Sequence, residues 1–125
     1  DVECVPWSYE AEPALLHRMH VGVMPLPDTP WTRGKAGYKL LLHMAAARPV
    51  VASPVGVNAE LVGEGEAGLL AQTEDEWYRA LRRLADDDAL RAALGAAGRA
   101  RAVAHYSRTV CAPRLLDTLA AALAS

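Results

Sequence analysis

The residues that could do chemistry in this chain crowd into one stretch. Arg33-Gly34-Lys35-Ala36-Gly37-Tyr38-Lys39 places cations and glycines directly before the apolar run Leu40-Leu41-Leu42-His43-Met44-Ala45, and Pro49-Val50-Val51-Ala52-Ser53 follows. A helix opening after such a loop presents amides that have no acceptor within the helix. These amides favour anions, and Lys or Arg beside them adds charge. The chemistry to expect is a phosphate-bearing ligand, met by Lys35 and by the amides around Ala36 and Gly37. A second segment, Pro54-Val55-Gly56-Val57-Asn58, follows the next apolar run, and Gly56 and Asn58 permit tight backbone approach. Ordinary turns carrying surface Lys and Arg fit the same pattern, because glycine-bearing loops before helices are common.

Other reactive types are scattered. Cys4 and Cys111 have no metal or redox spacing and read as free buried thiols, in keeping with a reducing cytoplasm. His17 and His20 are three apart on an expected helix, with no Cys, Asp or Glu nearby to complete a metal set. Asp86-Asp87-Asp88 reads as an N-cap at a helix junction rather than a metal site. Glu60, Glu64, Glu66, Glu74, Asp75 and Glu76 read as solvated surface.

The elements that would position these residues alternate between strand and helix. Val2 to Val5 reads as a short strand closed by Pro6. Ser8 would cap a helix from Tyr9 to Met19 with a stripe of Leu15, Leu16 and Met19. The run Val21 to Leu26 suits a strand covered on both faces, weakened at Pro25. A loop from Pro27 to Gly34 leads to a helix over Ala36 to Ala47, with Leu40, Leu41, Met44 and Ala45 on its sheet-facing side. Strands at Pro49 to Ser53 and Ala67 to Ala71 flank a short helix near Ala59 to Val62. Thr73 and Glu76 form a capping box for a helix carrying Trp77, Leu81 and Leu84. A helix from Ala89 to Ala104 contains Gly95 and Gly98, which hints at close packing, and Pro113 suggests that the last helix starts afresh near Ala112. The pattern predicts an α/β fold: a parallel sheet with helices on both faces and a helical C-terminal tail. Ligands of such sheets bind beyond the carboxyl ends of the strands, where the segments Pro27 to Lys39 and Pro54 to Glu60 lie.

Composition sets the class. With 52% hydrophobic and 22% charged residues, the chain can bury a core within one domain, residues 1–125. A net charge of −2 gives no footprint for nucleic acid or membrane. No apolar run approaches the ~20 residues of a membrane span. Asp1-Val2-Glu3 offers no basic signal region, and with no initiator Met the chain reads as a piece of something longer. A dinucleotide fingerprint, a Walker motif and a GxSxG elbow are all absent.

At these same residues the sequence resembles the nucleotide-sugar-dependent glycosyltransferases of family 4, built on the GT-B fold. The resemblance runs through Val21-Gly22-Val23-Met24-Pro25-Leu26-Pro27-Asp28, Arg33 to Leu41, Met44-Ala45, Pro49 to Asn58, Glu60-Leu61-Val62 and Gly68-Leu69-Leu70. It continues into Leu94-Gly95-Ala96-Ala97-Gly98-Arg99 and Tyr106-Ser107. It implies two Rossmann-like domains across a cleft, of which residues 1–125 are most of the C-terminal, nucleotide-sugar-binding one. The N-terminal acceptor domain and the donor domain's opening strands would be absent. The family's two usual glutamates would fall at Gly34 and Leu42, and Leu42 cannot accept hydrogen bonds from a ribose.

The implied reaction is transfer of a sugar from a nucleoside-diphosphate donor to an acceptor, with no metal or other cofactor. Lys35 and Arg33 would serve as counter-charges, Gly37 and Tyr38 would offer backbone amides, and Gly56, Asn58 and Glu60 would approach the donor from the second loop. The resemblance puts no catalytic base in this chain, and it leaves the acceptor, the nucleotide, the sugar and the stereochemical course open. A cytoplasmic enzyme is implied, with a membrane-peripheral position of the full-length protein left open. The piece alone is expected to be inactive, to lack its partner domain and to self-associate through unpaired strand edges and the face bearing Leu115, Leu116, Leu119 and Leu123. The alternative is a non-catalytic sugar-nucleotide or phosphate-binding module, or a structural interaction module, as the missing glutamates suggest.

Overall fold

The computed structural model describes residues 2–63 and 65–124, so Asp1, Glu64 and Ser125 lie outside it. In chain order the elements are α1 (Glu12–Arg18), β1 (Gly22–Met24), α2 (Pro30–Arg33), α3 (Tyr38–Ala45), β2 (Val50–Ala52), α4 (Asn58–Val62) and β3 (Gly68–Leu70). Three helices follow, α5 (Glu74–Asp86), α6 (Asp88–Tyr106) and α7 (Arg108–Leu123). The three strands form one parallel sheet in the order β1-β2-β3. Gly22 is opposite Val50 and Met24 opposite Ala52, and Val50 and Ala52 are in turn opposite Gly68 and Leu70.

Strand side chains alternate between faces, and that splits the core in two. Val50 and Ala52 join Met24, Leu40, Met44, Leu61, Val62, Ala67 and Ala102, beneath α3, α4 and α6. Val51 points the other way, with Ala71 just after β3, Ala80 and Leu84 of α5 and Leu94 of α6. The central strand is therefore wholly buried, as a parallel strand covered on both faces should be.

Helix α6 reaches both clusters and caps its neighbours. Arg91 donates to the Leu84 and Ala85 carbonyls at the end of α5, Arg99 to Ala45 at the end of α3, and Arg101 to Glu60 and Leu61 of α4. Terminal carbonyls that have no partner within their own helices are satisfied from one element. The capping box forms as expected: Thr73 Oγ1 accepts from the Glu76 amide, and Glu76 accepts from the Gln72 and Thr73 amides. Those two amides hold the Glu76 carboxyl below its usual range. Asp87 caps α6 through the Leu90 amide at 2.8 Å.

Several expectations need correction. Val2 to Val5 forms no strand, because a strand needs a ladder and no partner meets it among the described residues. The first helix is shorter than expected and starts at Glu12, although the Ser8 hydroxyl does accept from the Ala11 amide at 3.2 Å. On α3 the inward face is Leu40, His43 and Met44, while Ala45 is exposed. The last helix begins at Arg108 and carries Pro113 inside it. The acceptor that Pro113 leaves free, the Thr109 carbonyl, belongs to an exposed residue where water can serve it. Cys4 and Cys111 are free but exposed: Cys4 sits in the unpaired N-terminal segment and Cys111 on α7, which has no buried residue. The acidic residues Glu60, Glu66, Glu74, Asp75 and Glu76 are exposed, as expected.

The two glycines of α6 make opposite predictions. A Cβ at Gly95 would collide with the backbone carbonyl of Ala47, whereas one at Gly98 would rest at 3.4 Å from the Ala67 carbonyl and from Met44. Gly95→Ala should therefore cost about 1–3 kcal/mol through overpacking. Gly98→Ala should be neutral or gain up to about 1 kcal/mol from helix propensity. Urea denaturation of both variants checks the contrast, and equal effects would refute it.

Candidate functional site

Parallel pairing sends the loop after β1 (residues 25–37) and the loop after β2 (residues 53–57) out of the same edge of the sheet. The two loops touch. The Ser53 amide donates to the Met24 carbonyl at 3.1 Å, and the Leu26 amide donates to the Ser53 hydroxyl at 3.0 Å. Gly56 has a left-handed φ of 57°, and a Cβ there would lie 2.6 Å from the Arg33 carbonyl oxygen.

The first loop is stiffer than its composition suggests. It contains α2, opened by Thr29 and Pro30 and closed by a reciprocal capping box. The Thr32 amide donates to the Thr29 hydroxyl, the Thr29 amide to the Thr32 hydroxyl, and that hydroxyl also donates to the Pro27 carbonyl. The expected loop from Pro27 to Gly34 thus holds a short helix, and Thr29 followed by Pro30 is the sequence signal that could have marked it. Arg33 closes the loop with a two-point ion pair to Asp28, at 2.6 and 3.0 Å. The guanidinium hydrogen bond holds the Asp28 carboxyl below its usual range, and the same bond raises Arg33.

The loop ends at Gly37, which is the N-cap of α3 with φ 66° and ψ 18° and offers no side-chain cap. A residue with a Cβ would be strained in that conformation and would also strike Leu61. The first amides of α3 thus open beside Lys35 and Lys39, both exposed and neither in an ion pair among the described residues. Tyr38 is exposed, and so is Glu60 on α4. Asn58 is buried, 1% exposed, and its Nδ2 donates to the Ser53 carbonyl at 3.0 Å. Of the residues singled out from the sequence, the fold brings Arg33 against Gly56 and Gly37 against Asn58, while Lys35, Tyr38 and Glu60 stand out toward solvent.

Beside Tyr38 and Lys39 lies a largely apolar cleft of about 610 Å³, walled by Trp7, Leu15, Leu16, Met19, Leu42 and His43, with Glu3 and Glu12 at its margin. Trp7 and His43 were not singled out in the sequence, because only the tertiary fold returns the N-terminal segment to α3. His43 is 7% exposed and packs over Gly22, whose missing side chain leaves room for the imidazole. Its Nδ1 is buried with no hydrogen-bond partner among the described residues. Burial, helped by the charge of Lys39, holds its pKa below the ordinary 6.5.

Comparison with known proteins agrees with this architecture. Residues 1–87 match the family described as glycosyl transferases group 1. The chain belongs to that family, and its parallel sheet with surrounding helices is the Rossmann-like arrangement of GT-B glycosyltransferases. A curated bacterial relative, D-inositol 3-phosphate glycosyltransferase from Nocardioides sp., is 44% identical over 54 residues, which is 42% of this chain and 12% of that protein. The solved structure of sucrose-phosphate synthase from Thermosynechococcus elongatus superposes with a TM-score of 0.78 at 28% identity, over 88% of this chain and 27% of that one. The chain thus spans about an eighth and about a quarter of the lengths of these two proteins. Among the described residues no helix is long and apolar enough to cross a membrane.

His43 predicts a pH dependence. Its depressed folded pKa means that the unfolded chain takes up a proton first as pH falls. The stability it contributes is complete above about pH 6.5 and is lost as pH drops through the folded value. Thermal midpoints of the wild type should fall more between pH 7 and pH 5 than those of His43→Leu. Equal falls would show that His43 does not contribute.

Proposed function

We propose that this chain binds the nucleoside-diphosphate sugar of a group 1 glycosyltransferase, with its diphosphate at the N-terminus of α3. The observation that carries this reading is the convergence of the two loops on Gly37, which leaves the opening amides of α3 beside two unpaired lysines at the carboxyl edge of the sheet. Membership of a sugar-transferring family supports a sugar-bearing donor as the ligand of that anion site.

The departing diphosphate gains negative charge as the glycosidic bond to the donor breaks. An opening amide of α3, with the ammonium of Lys35, stabilises that charge. Arg33 contributes less, since Asp28 already takes its guanidinium. The nucleoside lies in the apolar cleft against Trp7 and Leu42, where packing rather than a carboxylate holds the ribose. Gly56 gives the backbone clearance and Glu60 an exposed carboxylate on the sugar side. The acceptor belongs to another domain, and its activation falls to that domain or to the donor phosphate, so the chain alone binds donor without turning it over. No metal or other cofactor is required.

A second reading, a binding module without catalysis, draws on the side chains at Gly34 and Leu42, neither of which supplies a carboxylate. Nucleoside diphosphate release by the full-length protein separates the two readings.

Lys35→Ala tests the site. In the full-length protein, calorimetry with UDP-, GDP- and ADP-sugars should show donor affinity roughly ten- to hundredfold weaker, the loss of one charge-assisted contact. Arg33→Ala should lose less. Unchanged affinity and turnover in Lys35→Ala would overturn the proposal.

A further inference from the structure

We infer that Asn58 is a positioning residue for the diphosphate, acting through Gly37 rather than by touching the donor. The inference rests on the donor reading above. At 1% exposure the side chain cannot meet a ligand directly. Its two polar ends instead address the two ends of the basic loop. Nδ2 donates to the Ser53 carbonyl, and Ser53 holds the start of the loop through its hydroxyl on the Leu26 amide and its own amide on the Met24 carbonyl. Oδ1 lies at the other end, 3.4 Å from the point where Gly37 would carry a Cβ, and has no hydrogen-bond partner among the described residues.

A buried amide oxygen without a donor is costly, and native structures rarely leave one so. Across Gly37 from it are the donors with the same deficit, the first amides of α3, which have no acceptor within the helix and no capping side chain. A small turn of the Gly37–Tyr38 peptide pairs the two. Asn58 then caps α3 from a different element and fixes the direction in which the remaining first-turn amide points.

The test uses the full-length protein and a control of equal instability. Leu94→Ala damages the core on the opposite face of the sheet. Asn58→Ala should raise the donor KM roughly ten- to hundredfold and leave the acceptor KM unmoved, as expected when a binding group is misplaced. Leu94→Ala, matched in thermal midpoint, should leave both constants unchanged. Identical kinetics in the two variants would overturn the inference. Should Asn58→Ala fail to fold, amide hydrogen exchange of the wild type decides. A protected amide at Tyr38 or Lys39 supports the clasp, and rapid exchange at both refutes it. Weakened donor binding in Lys35→Ala with none in Asn58→Ala defeats this inference alone, whereas a wild type that binds no nucleotide sugar defeats the donor reading beneath it.

Discussion

The parallel ladder between β1 and β2 is the constraint on which the rest of this molecule depends. A parallel pair cannot be joined by a tight turn, so the chain must cross over through α3 before β2 begins. That crossover puts the amino end of α3 at the carboxyl edge of the sheet, where the loop after β2 also emerges. The register of Gly22 with Val50 adds a second condition. At that level the edge strand has no side chain on its inner face, and His43 of α3 fills the gap. Glycine in the strand thereby sets how closely α3 lies on the sheet, and with it where the basic loop must end.

Much of this was legible in the sequence because it depends on local chemistry. Alternating apolar runs marked β1, β2 and β3, and the pair Thr73 and Glu76 marked the start of α5. Asp87 was readable as a cap because a carboxylate before an apolar-periodic run satisfies amides that nothing else can reach. The loop before α3 was likewise readable, since its cations and glycines lie next to one another in the chain. What escaped depends on contacts distant in sequence. Val2 to Val5 has the composition of a strand, but composition supplies no partner. His43 turns inward only because Gly22, distant in sequence, leaves room for it. The cleft beside Leu42 requires the N-terminal segment and α3 to meet, and neither carries a mark of the other. Pro113 was overweighted: the bond it removes from α7 is one bond, at an exposed position.

Helix α6 explains how so small a sheet holds its surroundings. Three strands of three residues supply few ladder bonds. The arginines of α6 compensate by satisfying the terminal carbonyls of α3, α4 and α5, and Leu94 and Ala102 on the same helix enter the two halves of the core. The close approach of Gly95 to Ala47 belongs to the same arrangement, because Arg99 reaches the Ala45 carbonyl only if α6 lies against the turn that ends α3. The helix tail α7 lies outside this arrangement: none of its residues is buried, and Leu115, Leu116, Leu119 and Leu123 are exposed.

The electrostatics of the site follow from which charges are already spent. Arg33 and Asp28 neutralise each other at two contacts, so the pair stiffens the loop and adds little field at the mouth. Burial keeps His43 neutral at pH 7, and the nearby charge of Lys39 reinforces that. What remains near the start of α3 is Lys35, Lys39 and the amides themselves, with the carboxylates of Glu3 and Glu12 on the wall of the adjoining cleft. Gly34 and Leu42 contribute no carboxylate that would oppose them. An anion arriving there meets positive potential on one side and the apolar cleft on the other, and an amphiphile with a diphosphate end and an aromatic or ribosyl body satisfies both walls at once. Inorganic phosphate would satisfy only the first, so under the proposed reading the cleft beside Leu42, and not the lysines alone, would favour a nucleotide.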